Sequence, residues 1–104
     1  MAKTASELRD AMLVILDGGN AWTRGANARG SDDVARPCLN SNAVKWDIFG
    51  ALIVASFEEP NYKARNEVLD ALRLAITTKN KDIEYYNDQL EWAEVESLLN
   101  SLTF

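Results

Sequence analysis

The sequence predicts a single all-α domain of about four helices, spanning residues 1–104, with one long Gly/Arg-rich loop between the first two helices. Three observations predict it. Apolar residues recur at three- and four-residue spacing in separate stretches, as they do on helices with one buried face. Four of the five glycines, with Arg24, Arg29 and Arg36, fall between residues 18 and 36, where no period is sustained. A chain of 104 residues, 47% apolar and 26% charged, suits one domain with its own core.

The first helix opens on Thr4-Ala5-Ser6-Glu7, a capping box in which Thr4 closes the backbone and Glu7 reaches back. Leu8, Ala11, Met12, Ile15 and Leu16 then share one face, and Gly18-Gly19 stops the helix. The loop from 18 to 40 comes next; loops this long inside compact domains are usually functional or mobile. A hairpin around Ala26-Asn27-Ala28 has little sequence support.

A second helix is expected from Ser41 or Asn42 to just before Pro60, with Trp46, Phe49, Ile53 and Phe57 as its apolar stripe. Gly50 inside it costs about 1 kcal/mol relative to alanine, which implies that another backbone packs closely there. After Pro60-Asn61 a third helix runs from about Lys63 to Thr77, with Val68, Leu69, Leu72, Ala75 and Ile76 inward. Lys79-Asn80-Lys81 ends it, placing cations near the negative pole of the helix dipole. Ile83 to Tyr86 is too short to assign. A last helix is expected from Gln89 to Leu102, capped by Asn87 or Asp88, with Trp92, Val95, Leu99 and Leu102 inward.

Charge is divided sharply along the chain. Residues 82–104 contain Asp82, Glu84, Asp88, Glu91, Glu94 and Glu96 and no Lys or Arg, whereas residues 1–81 carry 11 basic and 10 acidic side chains. The tail therefore holds −6 of a net charge of −5, a field that favours a basic partner. A local explanation competes. Asp88, Glu91 and Glu94 fall at the start of the last expected helix, where a carboxylate gains roughly 0.3–1 kcal/mol from the dipole. Direct binding of DNA or RNA is disfavoured, because a net acidic chain lacks a phosphate-neutralising footprint.

Composition narrows the chemistry further. Without histidine the chain lacks the usual neutral-pH general base and the commonest metal ligand, and Cys38, alone, forms neither an intrachain disulfide nor a zinc cluster. Cys38 reads as a half-buried filler. The carboxylate pairs Asp32-Asp33, Glu58-Glu59 and Glu91/Glu94 are ordinary in an acidic chain, so we expect no enzyme, no cofactor and no metal. The start of the chain has no apolar stretch like a signal peptide, and the longest strongly apolar run, Ile48 to Phe57, is far below the roughly 20 residues that span a bilayer. The expected setting is the reduced cytoplasm, with no membrane partner.

The loop offers a second candidate site. Arg24, Arg29 and Arg36 could hold an anion through paired hydrogen bonds, with Gly25 and Gly30 letting backbone amides approach and Trp22 stacking on a base. No glycine spacing matches a phosphate loop or dinucleotide fingerprint. The alternative is that Trp22 pins the loop to the helices while the arginines stay hydrated or pair with Asp32 and Asp33. Trp46 and Trp92 lie on expected inward faces and read as core.

Trp22-Thr23-Arg24-Gly25 with Ala28, Ala43-Val44-Lys45-Trp46 leading to Gly50-Ala51-Leu52, and Tyr86-Asn87-Asp88 with Val95 together resemble a small bacterial and phage family known only as a domain of unknown function. The resemblance covers most of the chain. That family's pattern often has a cysteine after the aromatic residue before Gly-Ala-Leu; this chain has Asp47 there. The resemblance implies a helical accessory protein and carries over no activity or functional residue.

The expected function is thus a non-catalytic bacterial or phage interaction protein, an inhibitor of host machinery being one such class. It would bind a basic protein surface through Glu84, Asp88, Glu91, Glu94 and Glu96. The alternative is a small anionic ligand, such as a nucleotide, on Trp22, Arg24, Arg29 and Arg36. A homodimer is left open.

Overall fold

A computed structural model of the chain describes residues 3–59, 62–76 and 82–104. Helix α1 (Ala5–Leu16) begins as its sequence requires: the Glu7 amide donates to Thr4 Oγ1 at 3.2 Å, and the Thr4 amide donates to Glu7 Oε1 at 3.0 Å. Leu8, Met12 and Leu16 are fully buried. A 3-10 turn at Asp17–Gly19 ends the helix, and Gly19 adopts φ +94° directly beneath the Trp92 ring, where a Cβ would lie 2.7 Å from an indole carbon.

Beyond α1 the structure corrects the all-α expectation. The segment is not one open loop, and the second helix does not start at residue 41 or 42. Strand β1 (Ala28–Gly30) pairs antiparallel with strand β2 (Ala43–Trp46), in the register Ala28 with Trp46 and Arg29 with Lys45. On its other edge Trp46 bridges in parallel to Trp22, the Trp46 amide donating to Ala21 O at 2.8 Å and the Thr23 amide to Trp46 O at 3.0 Å. The amide and carbonyl of Trp46 are thus both spent on residues 21–23, and the Asp47 amide on Asn27 O, all in chain some 20 residues away. A helical period read from neighbours alone does not register such partners. Among the described residues the fold is mixed: five α-helices and a small two-stranded sheet.

Asp47 divides strand from helix. Its carboxylate accepts the Gly50 amide at 2.6 Å and so caps α2 (Ile48–Ala55). The late start rotates the buried face. Ile48, Ala51 and Leu52 are fully buried, whereas Phe49 and Ile53 are half-buried and Phe57, beyond the end of the helix, is 61% exposed. Helix α2 ends at Ser56, short of the expected boundary. The Ser56 hydroxyl donates to Leu52 O at 2.7 Å and accepts from Arg65 Nε at 2.8 Å.

Helix α3 (Lys63–Ala75) buries Ala64, Val68 and Leu72, with Ile76 buried just past its end, close to the expected face. The expected boundaries at Pro60-Asn61 and at 79–81 lie outside the described residues. The stretch too short to assign forms a helix of its own, α4 (Ile83–Asp88), capped by Asp82. The last helix expected from Gln89 starts later, as α5 (Trp92–Ser101), capped not by Asn87 or Asp88 but by a box in which Glu91 and Glu94 exchange hydrogen bonds. Leu8, Met12, Ile48, Leu52, Val68, Leu72, Val95 and Leu99 meet in one core. The sheet and its loop lie outside this core, against the α2–α4 side, and Asn27 brings them closest. Its carbonyl oxygen would sit 2.1 Å from a Cβ on Gly50, so the close backbone approach implied by that glycine comes from the loop.

Candidate functional site

Asn87 is the point where the loop, α2 and α4 meet. It is fully buried near the end of α4 rather than serving as a helix cap. Its Oδ1 accepts the Trp22 indole N–H at 2.8 Å and the Ile48 amide at 3.2 Å. Its Nδ2 donates to Thr23 O at 3.1 Å and to Asp88 Oδ1 at 3.2 Å. One side-chain amide thus satisfies groups from three elements, which is how a buried polar group avoids its desolvation cost. Asp88 Oδ1 also accepts the Gly25 amide at 2.8 Å. The short stretches Trp22–Gly25, Trp46–Gly50 and Asn87-Asp88 converge on this spot.

The arginines of the loop have internal partners. Arg24 stacks on Trp22, its guanidinium carbon 4.9 Å from the ring centroid, donates to Leu90 O, and approaches Glu91 Oε2 at 3.4 Å. Trp22 in turn sits 6.1 Å from Trp92, tilted by 50°. Arg29 donates to Asp33 O at 2.9 Å and to Arg24 O at 3.1 Å, which folds the loop on itself. Arg36 pairs with Asp32 at 2.8 Å. The four side chains considered for an anion are therefore not gathered around one space: Trp22, Arg24 and Arg29 lie in sequence along the loop, and Arg36 is turned to Asp32.

The acidic side chains divide in the same way. Asp88 is bonded to Gly25, Glu91 faces Arg24 and caps α5, and Glu94 Oε1 accepts the Glu91 amide at 2.9 Å. Glu84 and Glu96 are exposed, and neither carboxylate has a hydrogen bond or ion pair among the described residues. Asp88 and Glu91 thus meet Trp22 and Arg24 at one seam, while Glu84 and Glu96 face solvent.

Behind Glu84 lies a cleft of about 470 Å³ between the loop and α4, bounded by Ala26, Asn27, Arg36, Pro37 and Cys38. Asn27 joins it to Asp47, donating from Nδ2 to Asp47 Oδ2 at 3.1 Å, while the Asp47 amide donates to Asn27 O at 3.2 Å. Burial pushes the Asp47 carboxyl up to about 6; the Gly50 amide and Asn27 oppose the rise, and Glu84 and Asp88 add to it. The Cys38 thiol is also pushed up, first by burial and then by Asp47, with Glu84 contributing. This is the opposite of an activated thiolate. Cys38 is half-buried, and its carbonyl accepts the Trp46 indole N–H at 3.0 Å. No group of three or more acidic or cysteine side chains among the described residues could hold a metal ion.

Sequence reasoning missed Asn27, Asp47 and Asn87. Asp47 had a legible signal, an aspartate directly before an apolar run with glycine three residues on. Asn87 read as a cap, because only its distant partners reveal its role.

With this geometry in place, comparison with known proteins adds one fact. The model of a family of unknown function, DUF6197, matches residues 1–102, and the chain belongs to that family. No curated protein and no solved structure matches it.

Proposed function

We propose that this chain is a non-catalytic binding protein, a cytoplasmic bacterial or phage accessory factor, that docks a basic protein surface on its acidic C-terminal region. The observation that carries this reading is the state of the charged groups. Arg24 and Arg36 have acidic partners within the molecule and Arg29 donates to backbone carbonyls, while Glu84 and Glu96 stand exposed with no counter-ion among the described residues, in a region, residues 82–104, that has no basic residue. Such a surface steers a positively charged partner and repels nucleic acid. Asp88, Glu91 and Glu94 contribute field but also hold the loop and the α5 cap, so they are poor probes of binding alone. A nucleotide is disfavoured for the matching reason: Arg24 and Arg36 already have acidic partners, and Arg29 is turned to backbone carbonyls.

The test is capture from the native host by the tagged protein and by its Glu84→Lys/Glu96→Lys variant. Both side chains are exposed; Glu84 lies in the first turn of α4, where a lysine costs about 0.3–1 kcal/mol, so the variant should melt within a few degrees of the parent. A partner retained by the parent and lost by the variant supports the proposal. Equal retention by both defeats it. A rise in melting temperature with millimolar nucleotide would favour the arginine loop instead.

A further inference from the structure

The cleft behind Glu84 has a composition that the acidic surface as a whole does not. Its walls are short or apolar, namely Ala26, Ala35, Pro37 and the half-buried Cys38, with the Asn27 amide behind and a carboxylate at the rim. The cation that lines it, Arg36, pairs through one terminal nitrogen with Asp32 at 2.8 Å, which offsets its charge, while its buried Nε has no hydrogen-bond partner among the described residues. Glu84 is the carboxylate in its lining, and Asp47 lies behind Asn27, bonded to it at 3.1 Å. Glu84 helps push up both Cys38 and Asp47, as it would if the space between them sits at negative potential.

A space with largely apolar sides and a carboxylate that has no partner among the described residues suits a long aliphatic stem ending in a positive charge. Lysine and arginine side chains have that form: the stem lies on apolar surface and the head seeks an anion. A bare metal ion fits poorly, since no three-ligand group exists among the described residues. The volume of about 470 Å³ exceeds one such side chain and leaves room for adjoining backbone, which favours a side chain presented by a protein over a free amine.

We propose that the cleft between the 25–38 loop and α4 receives one lysine or arginine side chain of a protein partner, with Glu84 as its counter-ion. This rests on the acidic-surface reading and gives it an anchor point. A cationic side chain seated in the cleft would exclude water from one side of Glu84, and a charge pair desolvated in this way affects affinity more than one left fully in water.

The experiment is a titration of the isotope-labelled protein with the peptide acetyl-Gly-Arg-Gly-Arg-Gly-amide and its lysine counterpart, followed by amide shifts. Shifts at residues 25–27, 35, 36, 38 and 84 are expected, with affinity weakened about 10-fold by Glu84→Gln and unchanged by Glu96→Gln. Alkylation of Cys38 with N-ethylmaleimide should block the peptide by filling the cleft, and it tests the site without altering a charge. Shifts confined to the Glu94 and Glu96 side of α5 would overturn the cleft and leave the acidic-surface reading intact. No shift anywhere at several millimolar peptide would overturn the cleft, and the acidic surface would then stand or fall on partner capture. Undiminished binding by the alkylated protein would also overturn it.

Discussion

Replacing Asp47 with asparagine should make this protein more stable at neutral pH and leave its stability near pH 4 almost unchanged. Asp47 is 2% exposed, and its carboxyl is raised from 3.8 to about 6 by burial, with Glu84 and Asp88 of α4 adding repulsion and Cys38 the titratable neighbour on the loop. A folded-state pKa above the unfolded one means that the native state holds the proton more tightly. The stabilisation is therefore complete below about pH 4 and is lost as pH rises through about 6. A shift of this size, at 1.36 kcal/mol per unit, corresponds to about 3 kcal/mol of stability lost between those limits.

Asparagine keeps an oxygen for the Gly50 amide and cannot ionise. Its amide nitrogen would face Asn27 Nδ2, now 3.1 Å from Asp47 Oδ2, and this conflict is relieved if the Asn27 amide turns over. Some of the gain is lost with the charge-assisted cap, so the variant should exceed the parent by about 1–3 kcal/mol at pH 8 and match it near pH 4. Urea unfolding followed by tryptophan fluorescence from pH 4 to pH 8 measures this, and subtracting one profile from the other removes the titrations common to both. Parallel profiles, or a variant less stable at every pH, would refute the assignment of a buried, strained carboxylate at this cap.

The same geometry sets three further outcomes. Gly50→Ala should destabilise by about 3 kcal/mol or more despite the better helix former, because its Cβ would lie 2.1 Å from the Asn27 carbonyl oxygen, a backbone atom; chemical denaturation reads this. Asn87→Ala should cost about 3–5 kcal/mol, since it strips acceptors from the Trp22 indole and the Ile48 amide and a donor from Thr23 O, and Trp22 emission should change with it. Cys38 should react with a neutral-pH thiol reagent more slowly than a free cysteine peptide, because burial and two carboxylates hold it protonated; timed alkylation read by mass spectrometry checks this.

Helices α1 and α3 are legible in the sequence because everything that defines them is local. The Thr4–Glu7 box, the spacing of Leu8, Met12 and Leu16, and the spacing of Val68, Leu72 and Ile76 all lie within a few turns. The stretch from Ala43 to Trp46 misleads because it sits beside a strongly apolar helix and can continue that helix's period. Its strand conformation comes from Ala28 and Trp22, whose partnership with Trp46 is visible only in three dimensions. The division of the tail into α4 and α5 is partly readable, since Glu91 and Glu94 have capping-box spacing, but in an acidic tail the two carboxylates read first as charge rather than as a cap.

The candidate site obeys the same rule. The acidic bias of residues 82–104 is plain from composition, and so is the clustering of arginine and glycine in the loop. What local reasoning could not supply is that the two meet, with Arg24 at Leu90 and Glu91 and Gly25 at Asp88, so that each uses part of the other's binding capacity. Glu84 gains its position at a cleft mouth from the packing of the loop on α4.

The most direct measurement is the salt dependence of affinity for the partner captured by the parent and lost by the double lysine variant. Exposed charges are screened over about 8 Å at physiological ionic strength and about 3 Å at 1 M. Contact carried by Glu84 and Glu96 should therefore weaken at least about 10-fold between roughly 50 and 500 mM sodium chloride, with most of the change in association rate. A dissociation constant that stays level across that range would contradict an acidic docking surface.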